Sequence, residues 1–293
     1  MTRPAVPLLT STVISTSPLG SRSRLDATVG GLGVVDLVRD GVVLAYDDAG
    51  SGYPALVFVH GAACNRRFWC QQVPRFSSAH RVVAVDLRGH GESDAPSERY
   101  TVRLFADDLA STCTQLRIES PVVIGHSLGG LVALDFASAY PDYAAAAVLI
   151  DPPLLPGGDR AGIVHDLVAG LRGRDPDSAL RAYFASRFFG PDDDAATRSW
   201  ILSQIVLTEP HVTSSLWEES LVSWDDEAAL RECRVPLLYI DAGTPNADLA
   251  GAVKLCRGLM IARTIGSGHF SPLVVPEQVN AVLDCFLRLK VGR

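Results

Sequence analysis

Gly125-His126-Ser127-Leu128-Gly129 is the stretch whose reading decides the fold, because of what stands on either side of it. Before it runs Pro121-Val122-Val123-Ile124, short, apolar and β-branched, the composition of a buried strand. After it comes Gly130-Leu131-Val132-Ala133-Leu134-Asp135-Phe136-Ala137, apolar on a helical period. A serine on so tight a strand-to-helix turn takes a strained backbone conformation and needs glycine two residues away on both sides. Its hydroxyl then stands exposed at a helix N-terminus, where developing negative charge is favoured.

Working outward, short apolar strands alternate with helical patterns from Gly33 onward, which predicts an α/β fold with a mostly parallel, doubly wound sheet. Val34–Val38 and Val42–Tyr46 read as an opening hairpin around Arg39-Asp40-Gly41. Ala55–Val59, Arg81–Leu87, Pro121–Ile124, Ala145–Ile150, Pro236–Ile240 and Met260–Ile265 read as strands, and Val102–Ile118 as an amphipathic helix. The strand rhythm stops over residues 152–232. That segment opens on Pro152, Pro153, Pro156, Gly157 and Gly158, continues in helical patterns, and holds Trp200, Trp217 and Trp224. It leaves the sheet at the carboxyl ends of the strands, where such folds bind ligands, and reads as a helical lid insertion. Its tryptophans serve either the substrate pocket or the lid's own small core. The expected organisation is a flexible N-terminal arm over 1–30, the first part of the core over 31–151, the lid over 152–232 and the second part of the core over 233–293.

Composition narrows the function class. The 293 residues suffice for a substantial core, and 47% hydrophobic with 20% charged residues is ordinary for a globular enzyme. A formal charge of −7 argues against nucleic acid or an anionic membrane as partner. No run of 18 apolar residues predicts a membrane span. The six cysteines are scattered without a CxxC pair, which favours a reduced, cytoplasmic setting, and no His/Cys cluster has metal-ligand spacing. Residues 1–30 are rich in Ser, Thr and Pro with no acid before Asp26. They read as a flexible arm or an over-extended start, with an organellar targeting segment as the alternative.

Four motifs, each following a predicted strand, resemble the α/β-hydrolase superfamily in its serine-nucleophile, cap-bearing branch. They are His60-Gly61-Ala62-Ala63, Asp86-Leu87-Arg88-Gly89-His90-Gly91-Glu92-Ser93-Asp94, the turn around Ser127, and Gly266-Ser267-Gly268-His269-Phe270. The resemblance covers roughly 33–290 and implies a cofactor-free hydrolase without a metal. Ser127 would be the nucleophile and His269 the base, in the family's chain order, with the N–H groups of Leu128 and Ala62 as the oxyanion hole. His126 then reads as a structural or pocket residue, and Cys64 as a buried thiol near the same loop. Relatives acting as dehalogenases or epoxide hydrolases carry Asp at the nucleophile position, so that chemistry is disfavoured.

The acid departs from the common pattern. Relatives usually place it in a Gly-x-x-Asp segment after the penultimate strand, where this chain has Pro245 and Asn246. Three carboxylates remain: Asp151, directly after Val148-Leu149-Ile150 and the preferred candidate; Asp248, which also reads as a helix N-cap; and Asp241, at a strand end. The expected activity is cleavage of a small to medium apolar ester, lactone or thioester through an acyl-enzyme. The alternatives are hydrolysis of a C–C bond in an enolisable ketone, and a triad-retaining small-molecule receptor. The substrate is a small molecule in each case, and the assembly, homodimer included, is left open.

Overall fold

The structure, a computed structural model, describes residues 37–155, 160–205, 208–243 and 247–291. The expectations for the arm over 1–30, for Val34–Asp36 in the first strand, and for Pro245 and Asn246 lie outside the described residues.

A two-stranded hairpin comes first: β1 (Leu37–Arg39) and β2 (Val42–Leu44) pair antiparallel across Asp40 and Gly41, which both take positive φ. Seven further strands form one sheet, in the order β3-β5-β4-β6-β7-β8-β9. These are β3 (Tyr46–Ala49), β4 (Leu56–Val59), β5 (Val82–Val85), β6 (Val122–His126), β7 (Ala146–Ile150), β8 (Leu237–Asp241) and β9 (Leu259–Arg263). All pairings are parallel except β3 with β5. The sequence reading ended the strand Val42–Tyr46 on the first residue of β3 and gave no separate strand there. Tyr46-Asp47-Asp48-Ala49 lies at the sheet edge with both acids exposed, so it carries no apolar alternation to announce a separate strand.

Helices cover both faces. They are α1 (Val73–Phe76), α2 (Val102–Gln115), α3 (Leu128–Ala139), α4 (Arg160–Leu171), α5 (Pro176–Arg187), α6 (Ala195–Gln204), α7 (Pro210–Leu216), α8 (Asp226–Glu232), α9 (Leu249–Leu255), α10 (Ser271–Val274) and α11 (Pro276–Lys290). A 3₁₀ turn at Arg66–Trp69 precedes α1, and a π-helical turn at Trp217–Val222 follows α7. The strands' period of two splits the core into two layers. Val57, Val59, Val123, Ala147 and Leu149 face α2 and α3, while Leu56, Phe58, Val122, Ile124, Val148 and Ile150 face Trp69, Phe76 and α11. With both faces buried, these strands read as continuous apolar runs.

The run α4–α8 stands between β7 and β8. It is pinned to the sheet-bearing part by Trp224 Nε1 donating to Asp135 on α3 (3.1 Å), by Tyr100 N–H donating to Ser215 Oγ (2.9 Å), and by the Arg99–Glu219 pair. Beneath it, imidazoles brace the loops after β4 and β5. His60 Nε2 accepts the Leu87 N–H (3.0 Å), so its Nδ1 carries the proton donated to the Gly61 carbonyl (2.8 Å). The His90 ring lies 5.1 Å from that of His60 and bonds the Arg88 carbonyl. Burial is the main cause that pushes His60 down to about 4 and His90 down to about 3.

Both rings are therefore neutral in the folded protein at pH values where the unfolded chain already takes up protons. Stability from this source is fully present above the ordinary histidine value. It is lost as pH falls from about 6.5 toward about 4 for His60 and about 3 for His90. Each ring should remove about 2 kcal/mol between pH 7 and pH 5. Urea unfolding at the two pH values checks this, and an unchanged unfolding free energy would overturn it.

Candidate active site

The turn from β6 into α3 sets Ser127 at φ 54°, ψ −120°, a conformation that costs an ordinary residue about 1–3 kcal/mol and persists only where the surroundings impose it. The imposition is visible. A Cβ on Gly125 would lie 1.8 Å from the Gly129 carbonyl oxygen, and one on Gly129 would lie 2.2 Å from that of Val59. The Ser127 N–H is tied to the Ile150 carbonyl (2.9 Å), which fixes the turn to β7. Ser127 itself is half-buried.

Leu128 is the first residue of α3, so its N–H has no intrahelical partner. Among the described residues it meets no hydrogen-bond acceptor, and neither does the N–H of Ala62. The Ala62 loop reaches the serine closely: a Cβ on Gly61 would sit 3.1 Å from the Ser127 Cβ, and Ala63 takes φ +56°. Cys64 is buried in the same loop, its N–H bonded to the Gly61 carbonyl (3.1 Å), and burial pushes its thiol up.

His269 is almost wholly buried and held on several sides. Its Nδ1 hydrogen-bonds Asp151 Oδ2 at 2.7 Å, and its carbonyl accepts from His126 Nε2 at 2.9 Å. Asp151 is fully buried at the end of β7, at φ +50°. Its N–H donates to the Ile240 carbonyl (2.9 Å), and its Oδ1 accepts the Ala242 N–H (3.3 Å). The two other candidate acids make other contacts. Asp248 caps α9, accepting the Gly251 N–H at 2.9 Å. Asp241 pairs with Arg263 (2.6 Å) and accepts the Gly243 N–H (2.7 Å). Burial, with the neighbouring His269 adding to it, lowers His126 well below the usual histidine range, so this ring is a neutral strut between the serine turn and the histidine loop.

Sequence reasoning missed the contribution of the segment between α5 and α6. The Phe188 ring stacks on the His269 imidazole, with centroids 4.5 Å apart and planes 26° apart, and the Phe188 carbonyl accepts the His269 N–H (3.0 Å). Phe270 then gathers further aromatics: Phe68 at 6.0 Å, Phe184 at 6.3 Å and Phe189 at 5.6 Å, with Trp200 against Phe68 at 5.4 Å. The aromatic pair Phe188-Phe189 before Gly190-Pro191 was the available signal, but nothing in its spacing says what it packs against. Among the described residues, no group of three or more His, Cys, Asp or Glu could hold a metal ion, and no helix is long and apolar enough to cross a membrane.

A serine on a strained turn, two N–H groups without acceptors and a carboxylate-bound histidine make up the arrangement. It can deprotonate a hydroxyl and stabilise an oxyanion. Comparison with known proteins identifies the family. The first curated relatives are matched over only part of their length. An uncharacterized protein of Mycobacterium tuberculosis is 37% identical over 106 residues, 36% of this chain and 31% of that protein. The 2-(acetamidomethylene)succinate hydrolase of Mesorhizobium japonicum is 32% identical over 263 residues, 86% of this chain and 94% of that enzyme. The solved enol-lactonase of Burkholderia xenovorans LB400 superimposes with a TM-score of 0.76 at 21% identity. The match covers 85% of this chain and 98% of that one, a likeness of fold alone. The model of the Alpha/beta hydrolase family matches residues 56–282, most of the chain, and the protein belongs to that family.

Proposed function

We propose that this protein is a serine hydrolase that cleaves a small to medium apolar ester, lactone or thioester through an acyl-enzyme. The observation that carries the reading is the 2.7 Å bond between His269 Nδ1 and the buried Asp151 carboxylate, together with a serine on a strained turn directly after His126, whose ring bonds the His269 carbonyl. In this reading Asp151 holds the proton on Nδ1, leaving Nε2 to take the proton of Ser127 as Oγ attacks the substrate carbonyl. Charge developing on the carbonyl oxygen is received by the N–H groups of Leu128 and Ala62, each worth about 2.7–4 kcal/mol in sites of this kind. The N-terminus of α3 adds its positive end to the same place. His269 then protonates the leaving group, and the reverse sequence with water releases the acid.

The segment 152–232 acts as the lid in this proposal, with 31–151 and 233–293 as the two parts of the core. The aromatic surroundings of His269 support an apolar substrate, because burying a charged group among Phe68, Phe188, Phe189 and Phe270 without a partner would be costly. The scattered cysteines support a reduced, cytoplasmic place of work.

Ser127→Ala should fold as the wild type does and lose at least about 10³-fold in kcat on short p-nitrophenyl esters, with a residual rate from the oxyanion hole alone. Retention of more than about a tenth of kcat would sink the reading. For the acid, Asp151→Asn should lower kcat by about 10⁴-fold through the wrong imidazole tautomer. Asp248→Asn should stay within about threefold, since Asn caps a helix about as well as Asp. Steady-state kinetics on both folded variants decide the assignment, and the reverse ranking would transfer the role to Asp248.

A further inference from the structure

The loop that carries His269 is rich in glycine. Gly266 takes φ +74°, and Gly268 immediately precedes the histidine. One side of it is held by Gln278, which accepts the Ile265 N–H (2.9 Å) and donates to the Ile265 carbonyl (2.8 Å), and by His126 on the His269 carbonyl; the other side is held by the segment after α5. Asp193 Oδ1 accepts the Gly268 N–H at 3.0 Å, while Asp193 Oδ2 accepts the Gly190 N–H at 2.9 Å. Gly190 and Gly268 meet backbone to backbone: a Cβ on Gly268 would lie 2.5 Å from the Gly190 nitrogen and 2.8 Å from the Phe188 carbonyl oxygen. The next N–H along, that of His269, is taken by the Phe188 carbonyl. Two consecutive peptide N–H groups of the histidine loop therefore end on acceptors supplied by the insertion, and one of those acceptors is a charged side chain. The Asp193–Gly190 bond is a local turn of ordinary kind. The second oxygen, reaching 75 residues along the chain to Gly268, has no such local explanation.

We propose that Asp193 is a positioning residue for His269. Its carboxylate clamps the insertion onto the histidine loop, and the base holds its working position only while this clamp is closed. The proposal rests on the reading of Ser127 and His269 as nucleophile and base. Two acceptor oxygens are needed, one for each N–H. An amide at this position keeps one acceptor and turns its NH₂ toward the other donor. Misplacement of a catalytic group by an ångström is enough to cost about 10²-fold in rate.

The test measures kcat and KM on a short p-nitrophenyl ester for Asp193→Ala and Asp193→Asn, with rates expressed per active site titrated by a p-nitrophenyl phosphonate. Asp193→Ala should lose about 10- to 100-fold in kcat per titrated site, with KM within about threefold. Asp193→Asn should fall in between, and Asp192→Ala, an exposed neighbour, should match the wild type. A residue that only stabilises the lid would lower the melting temperature or the titratable fraction and leave kcat per site intact. That result overturns the proposal, as does a kcat within about twofold of wild type in Asp193→Ala. If Asp193→Ala fails to fold, Asp193→Asn decides alone by the same criterion. Failure of the phosphonate to modify Ser127 in the wild type overturns the serine-hydrolase reading itself, and the clamp with it. Titratable, Ser127-dependent turnover that is indifferent to Asp193 overturns only the clamp.

Discussion

Gly125 and Gly129 let the main chain of β6 turn into α3 within the width of one residue, and the rest of the site is arranged around that turn. With a side chain at either position, carbonyl oxygens of the same turn or of β4 would be overrun. The strain in Ser127 is tolerated because its N–H is bonded to β7 and the apolar body of α3 is buried against the sheet. Packing of that helix is thus what holds the hydroxyl up at the sheet's carboxyl end. The same compactness lets the Ala62 loop approach with the Ala62 N–H uncommitted among the described residues, since Gly61 offers no side chain to fend it off.

Around the turn, charge is kept scarce and placed. His60, His90 and His126 are neutral rings that carry directional hydrogen bonds between loops without bringing a charge into the core. The negative charge beside His269 is Asp151, with one oxygen on the imidazole and the other on the Ala242 N–H. A buried carboxylate with both oxygens engaged is costly to move. This suits a group whose proposed task is to hold a ring still. The helical insertion then closes over the ring with Phe188, so the low-dielectric surroundings of the proposed base are contributed by residues remote in sequence.

Much of the fold was legible in the chain because strands β4 to β8 are buried on both faces. Burial of that kind leaves continuous apolar runs such as Val82–Val85 and Val122–Ile124, which cannot be mistaken for loops. The edge strand Tyr46–Ala49 was not legible as an element of its own, since an exposed edge makes no demand for apolar residues. Ser127 and His269 were legible as candidates because local geometry, a tight turn and a glycine loop, writes itself into local sequence.

The acid could not be read in the same way. Asp151, Asp241 and Asp248 each end or begin an element, and nothing within ten residues of any of them says which one meets a histidine far along the chain. The folded protein separates them by what each touches: an imidazole, an arginine and a helix N-terminus. Phe188 and Asp193 are the extreme case, residues of an insertion with weak pattern whose partners lie 75 or more positions away. By itself the sequence determined the alternation of elements, the family's serine turn and the histidine loop, because these depend on steric rules between near neighbours. Which carboxylate meets His269, and that the insertion grips the loop carrying it, were decided only by the tertiary structure, because both depend on contacts between residues that no local rule connects.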